Sequence, residues 1–225
     1  MKGGVAAATL LPLALSMITA SKATGPTCGT QCGTERWPVK TLSDVDARSV
    51  NMTPIPITVS ELVAAPAPSE SSNDTRLNDI EKETLTVNAL LMGFKLETDH
   101  DFHLVIEDAR THDTMIAEIP DPQCSGVCAS IAHTQIAQTR SGFAAAFAAT
   151  PPDEQYTALT PPLPVTLMGV GFFDFYHGQT GVARNCIELH PVLTITLPQG
   201  ARSARRDPAA EPTPGPTESY HCLPE

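Results

Sequence analysis

Positive charge is scarce in this sequence: 14 Lys and Arg stand against 25 Asp and Glu, for a formal net charge of −11. Binding a phosphate backbone or an anionic membrane surface needs clustered cations that release counterions. The one basic cluster, Arg202, Arg205 and Arg206, sits in a Pro-rich tail. Nucleic acid is therefore disfavoured as a partner. Aromatic residues are also few, at 5% with a single Trp. Phe172, Phe173, Phe175 and Tyr176 are adjacent rather than spaced along a groove, which argues against a stacking platform for single strands.

Motifs of several enzyme classes are missing as well. No G-x-S-x-G turn supplies a hydrolase nucleophile. Asp99, Asp101, Asp108 and Asp113 offer hard oxygen ligands for Ca²⁺, but no twelve-residue loop closes on a Glu as an EF-hand requires. His177, Asn185 and His190 superficially match an H…N…H nuclease. That motif carries its last ligand on a helix, whereas His190 lies in an expected strand beside Pro191. There is no internal repeat.

Long apolar runs are absent beyond the N-terminus. Met1 and Lys2 precede a largely apolar stretch from Val5 to Ala20, interrupted by Pro12. This is the length of a signal-peptide core and falls short of the roughly 20 residues that span a bilayer. Ser21-Lys22-Ala23 gives an A-x-A-like cleavage site, with Ala20 as an alternative. The reading is a leader over 1–23, removal of which leaves a secreted, periplasmic or extracellular chain with no membrane span.

Cysteine, by contrast, is present in an even number. Six cysteines in an exported chain imply up to three disulfides, with 15 formal connectivities. The similar pairs Cys28/Cys32 and Cys124/Cys128, with Cys186 and Cys222 apart, favour Cys32–Cys124, Cys28–Cys128 and Cys186–Cys222. Four paired cysteines holding zinc is the alternative, disfavoured because exported thiols are normally oxidised.

Periodicity divides the rest. From Thr24 to Ala65 there is little core material: Trp37-Pro38-Val39-Lys40 reads as a short extended stretch. Thr58-Val59-Ser60-Glu61 has the form of a capping box that opens a short helix before Pro66. Pro66 to Arg76 reads as a linker. Alternation then marks strands at Leu85–Leu96, Phe102–Ile106 and Met115–Ile119, followed by a helix from an N-cap at Ser125 through Phe147. Pro151, Pro152 and Pro161 to Pro164 end that helix, and two further strands follow at Val165–Phe175 and Ile187–Leu197. Three strands, a helix and two strands is the element order of a five-stranded OB-like Greek-key barrel, and Gly169 and Gly171 suit its bends. The fold class expected is mostly β with one main helix. The division is 1–23 leader, 24–83 disulfide-tethered segment and linker, 84–198 barrel and 199–225 Pro-rich tail.

Candidate sites follow from phase. Asp101, His103 and Glu107 point away from Phe102, Leu104 and Ile106, while Glu188 and His190 point away from Ile187 and Leu189. In an OB barrel the third and fifth strands are neighbours, which brings Glu118 near Glu188 or His190. His103, Glu118, Asp174, Glu188 and His190 are thus the candidate set for a divalent ion or for acid–base chemistry. A solvated polar face is the expectation against it. Between the last two strands, the loop 176–185 holds His177, Gln179, Thr180, Arg184 and Asn185, donors for an anion or a sugar where OB-folds meet ligands.

The runs Gly169-Val170-Gly171-Phe172-Phe173-Asp174-Phe175, His177-Gly178-Gln179-Thr180-Gly181 and Ile187-Glu188-Leu189-His190-Pro191-Val192 together resemble a family of uncharacterised secreted bacterial proteins, over about residues 32–197. The stretches from Cys32 to Trp37, Asp101 to Val105 and Met115 to Pro122 are similar to the same group. The resemblance implies a secreted OB-like core and Cys32–Cys124 as the basic bridge, with the other two bridges as additions; it implies no activity.

The resulting expectation is a monomeric, disulfide-stabilised binding module without a cofactor, whose ligand is extracellular or in the envelope and meets the 176–185 loop. A metal-assisted hydrolase and a structural envelope protein are the alternatives. A bridge from Cys186 to Cys222 is expected to draw the tail over the polar face that carries Glu188 and His190.

Overall fold

Hydrophobic alternation and glycine placement set the longest strands. In a computed structural model that describes Met1, 28–198 and 220–224, strand β2 (Glu83–Leu96) follows β1 (Asn51–Ile57). The leader beyond Met1, and the tail cluster Arg202, Arg205 and Arg206, lie outside the described residues. Along β2 inward positions such as Leu85, Val87, Ala89 and Leu91 are buried. The pairing register shifts between Leu91 and Gly93, and the strand pairs on its two sides with β3 (Phe102–Glu107) and β5 (Thr157–Phe173). Strand β4 (Thr114–Ile119) runs antiparallel to β3, and β6 (Ile187–Thr196) pairs parallel to β4 and antiparallel to β5.

The result is one six-stranded mixed sheet in the order β1-β2-β3-β4-β6-β5, with β2 paired to β5 as well. Among the described residues the strand count is six rather than the expected five. The extra strand is β1, parallel to β2 and exposed over nearly all its length. Its Pro54 and Pro56 donate no ladder hydrogen bonds, which is tolerable only at an edge. Strand β5 also begins earlier than its apolar pattern suggests. It carries Pro161, Pro162 and Pro164 through an exposed stretch before the buried run from Val165.

The N-terminal segment is not poor in core. Helix α1 (Trp37–Lys40) replaces the expected extended stretch, with Pro38 in its first turn, where the missing N–H costs nothing. Trp37, Leu42, Ala47 and Val50 pack with Cys124, Val127, Ile136, Val170 and Leu193 as a second core on the outer side of β5 and β6. Helix α2 (Val59–Ala64) opens on the expected capping box, Thr58 with Glu61. The expected single helix is two, α3 (Ser125–Ala129) and α4 (His133–Ala146). The break falls where Ser130 turns extended and the N–H of Ile131 donates to the Leu42 carbonyl. Helix α4 presses Phe143 and Phe147 against Phe94 in the main core.

Three disulfides join Cys28 to Cys128, Cys32 to Cys124 and Cys186 to Cys222. The first two tie the N-terminal segment to α3. Two buried ion pairs hold the same segment from the other side, Arg36 to Glu81 at 2.6 Å and Arg76 to Asp44 at 2.7 Å.

Candidate functional site

Strand register assembles the site. His103 on β3 faces Glu118 on β4 as a direct cross-strand partner. On the other side of β4, Ile116 and Ala117 pair with Glu188 and Leu189, so one step further along these parallel strands Glu118 meets His190. The Glu118 carboxylate consequently lies between two imidazoles, with Oε1 2.9 Å from His103 Nδ1 and Oε2 2.9 Å from His190 Nε2. Asp101, just ahead of β3, brings Oδ2 to 3.2 Å from the same His190 nitrogen.

These side chains point away from the main core, as phase requires, yet they are not solvated. His103, His190 and Asp101 are fully buried, and Glu118 and Glu188 nearly so. A second layer covers them. The His103 Nε2–H donates to the Thr180 carbonyl in the loop between β5 and β6, and the His190 Nδ1–H donates to the Lys40 carbonyl at the end of α1. The Lys40 ammonium lies 2.8 Å from Asp174. The N-terminal segment therefore roofs the polar cluster. Among the described residues the C-terminal tail does not line the cavity; it packs beside it, with the Leu223 N–H donating to the Asp174 carbonyl and Tyr220 stacked on Tyr176.

A cavity of about 290 Å³ opens onto this cluster. Its walls carry six carboxylates, Glu35, Glu97, Asp99, Glu118, Asp174 and Glu188, against Lys40 and His177. Lys40 is committed to Asp174, and His177 Nε2 lies 2.9 Å from Glu35. Glu188 Oε2 is buried on this wall without a hydrogen-bond partner.

Crowding of acids in a dry site perturbs their protonation. Burial, reinforced by the charges of Glu118 and Asp174, pushes the Glu188 carboxyl well above the ordinary range. Burial likewise raises Asp101 to about 6 despite His190, and it raises half-buried Asp99. Glu118 goes the other way: burial opposes its charge, but the hydrogen bond from His103 and the close approach of the His190 imidazole outweigh it and hold the carboxyl well below its usual range. Both histidines are raised, His190 to about 10, because their carboxylate partners outweigh burial. Lys40 is raised by Asp174 and the neighbouring acids in spite of its burial.

The residues read as candidates from the sequence fall into two groups. Of the set His103, Glu118, Asp174, Glu188 and His190, Glu118 gathers both histidines, Glu188 lines the cavity, and Asp174 is taken up by Lys40. The 176–185 loop does not converge. His177 and Gln179 line the cavity, and the Thr180 carbonyl serves His103. Arg184 turns away toward Asp113 at 3.6 Å. Asn185 is buried, its amide donating to the Leu62 and Ala65 carbonyls and its oxygen accepting the Ile187 N–H. Asp108 and Asp113 lie at the opposite end of β3 from Asp99 and Asp101, so the four do not form one Ca²⁺ site.

Lys40, Glu35 and Glu97 went unread as site residues. Glu97 and Asp99 belong to the turn before β3, which carries acidic residues in the sequence; nothing local marks Lys40, whose place depends on the fold of the N-terminal segment. No family model, no curated protein and no solved structure matches this chain.

Proposed function

We propose that this chain is an exported, disulfide-stabilised binding module whose ligand carries positive charge and enters the acidic cavity between the N-terminal segment, the 97–99 turn and the 174–179 loop. One observation carries the reading: six carboxylates line a single cavity whose two basic residues are already paired, and one buried oxygen, Glu188 Oε2, has no partner. A buried polar atom without a partner costs about 1–3 kcal/mol, and an ammonium or guanidinium group both gives donors to these oxygens and relieves the crowding of acids that raises the Glu188 carboxyl. The anion or sugar expected at the loop gives way to a cation for the same reason. Export is supported by three disulfides, which persist in oxidising compartments. Among the described residues no helix is long and apolar enough to cross a membrane. The pairing of β2 with both β3 and β5, and the parallel β4–β6 pair, support the finer reading of an OB-like Greek-key barrel.

The test is calorimetry on the full-length oxidised protein with chelator present, using spermidine and arginine amide as cations and sulfate and glucose as controls. Saturable binding of a cation that weakens with salt, and falls at least about tenfold in Glu188→Gln, is expected. Binding of sulfate or glucose in preference to both cations, or no binding at all, overturns the reading.

A second reading, a metal-assisted hydrolase, is favoured by the convergence of His103 and His190 on one carboxylate. Its mark would be a hydrolysis that stops in Glu118→Gln and depends on added metal.

A further inference from the structure

We propose that Asp101, Glu118 and His190 form a site for one divalent transition-metal ion at the floor of the acidic cavity. The inference rests on the reading of that cavity as the ligand site, because Glu118 lines it and gives the ion its entry.

The donor atoms are already gathered. One atom from each of the three residues lies within 4.8 Å of the others. His190 Nε2 is 2.9 Å from Glu118 Oε2 and 3.2 Å from Asp101 Oδ2. Those approaches are short but not aligned as hydrogen bonds, and both Asp101 oxygens and His190 Nε2 are buried without a hydrogen-bond partner. A shared proton needs alignment; a metal ion needs only convergence on a point.

The surroundings are those of a ligand set. His190 Nδ1 gives its hydrogen to the Lys40 carbonyl, which leaves Nε2 as the coordinating nitrogen, the usual support for a metal-bound imidazole. The outer oxygen of Glu118 accepts from His103, whose other nitrogen is held by the Thr180 carbonyl. Glu188, which also lines the cavity, has its Oε2 buried and unpartnered, a second polar atom in this wall that lacks a partner.

The neighbouring trio Glu97, His103 and Glu118 also gathers within 4.8 Å. It differs in being satisfied: His103 Nδ1 makes an aligned hydrogen bond to Glu118, and Glu97 has Lys95 Nζ at 3.2 Å. One imidazole with two carboxylates suits Zn²⁺, Co²⁺ or Mn²⁺ better than Ca²⁺, which takes an all-oxygen shell. Three protein ligands leave a coordination position open.

The experiment uses the full-length chain with its disulfides intact. It is stripped with chelator, loaded with Zn²⁺ or Co²⁺, freed of excess metal by gel filtration, and read by elemental analysis and visible Co²⁺ absorption. One equivalent of retained metal is expected. Asp101→Asn should lower its affinity at least about tenfold and by more than Glu97→Gln does, whereas Glu107→Gln, at the far end of β3, should leave it unchanged. Ring ¹⁵N resonances of the unmutated protein should show Zn²⁺ perturbing His190 Nε2, a readout independent of whether a variant folds. No retained metal in the unmutated chain, or loss in Glu97→Gln with retention in Asp101→Asn, overturns the proposal. Spermidine binding measured under chelator separates the two claims. If it persists while no metal is retained, only the metal site falls; if metal is retained and no cation binds, only the cation-binding reading falls.

Discussion

Arg36 and Glu81 meet at 2.6 Å with both side chains closed to solvent. Glu81 also accepts the N–H groups of Leu77 and Phe173, while Arg36 donates to the carbonyls of Ser72, Thr75 and Phe173. Breaking a buried pair by removing one partner costs about 3–5 kcal/mol because the other charge is stranded. Glu81→Ala is expected to lose stability in that range in urea unfolding, whereas a loss below about 1 kcal/mol is what an exposed pair would give and would contradict the assignment.

Asn185 provides a second check, since the sequence places it in a ligand loop and the structure gives it three backbone partners. Asn185→Ala removes the donor to the carbonyls of Leu62 and Ala65 and the acceptor of the Ile187 N–H, although the Leu62 carbonyl keeps the Ala65 N–H. A loss of about 1–3 kcal/mol is expected, with spermidine affinity unchanged. An affinity change without a stability change would return Asn185 to the binding surface.

Gly178 and Gly181 separate backbone strain from steric exclusion. Both have positive φ, +72° and +79°. A Cβ at 178 meets open space, while at 181 it overlaps the Val105 side chain. Gly178→Ala is expected to cost roughly 1–2 kcal/mol, and Gly181→Ala more, by a further 1–3 kcal/mol or so of overpacking. Equal losses in thermal unfolding would remove the role given to Val105.

The cap of α2 carries a pH signature. Glu61 is exposed, and hydrogen bonds from the Thr58 side chain and backbone lower its carboxyl from the ordinary value of 4.5. A depressed carboxyl contributes stability above its unfolded value, and that contribution is lost as pH falls through the lower folded value. Glu61→Gln should therefore flatten the acid limb of the stability curve below about pH 5 and leave its shape near neutrality intact. Parallel curves for the two proteins across the acid range would show that the cap does not titrate as described.

Much of this was legible in the sequence, for physical reasons that can be named. Leu85, Val87, Ala89 and Leu91 alternate because β2 has a core on one side, and Thr58 with Glu61 is a local motif that needs no tertiary context. The approach of Glu118 to His190 also follows from strand order once β4 and β6 are taken as neighbours. Strand β1 was hidden because both its faces are exposed, so it has no alternation, and because Pro54 and Pro56 read as breakers. The start of β5 was hidden for the second reason. Helix α1 is too short for periodicity to reveal. The burial of His103 and His190 was unreadable in principle: the strand pattern shows which way they point, whereas the Thr180 and Lys40 carbonyls that close over them come from segments 77 and 150 residues away along the chain.

The position of Glu118 between two imidazoles also sets an order of assembly. His103 reaches it through a short hairpin, but His190 arrives on β6, the last strand among the described residues. A growing chain that has not yet docked β6 holds only half of the contacts to that carboxylate. A cation of the proposed kind would thus be captured only by a chain whose sheet is complete, and its capture would report the finished fold.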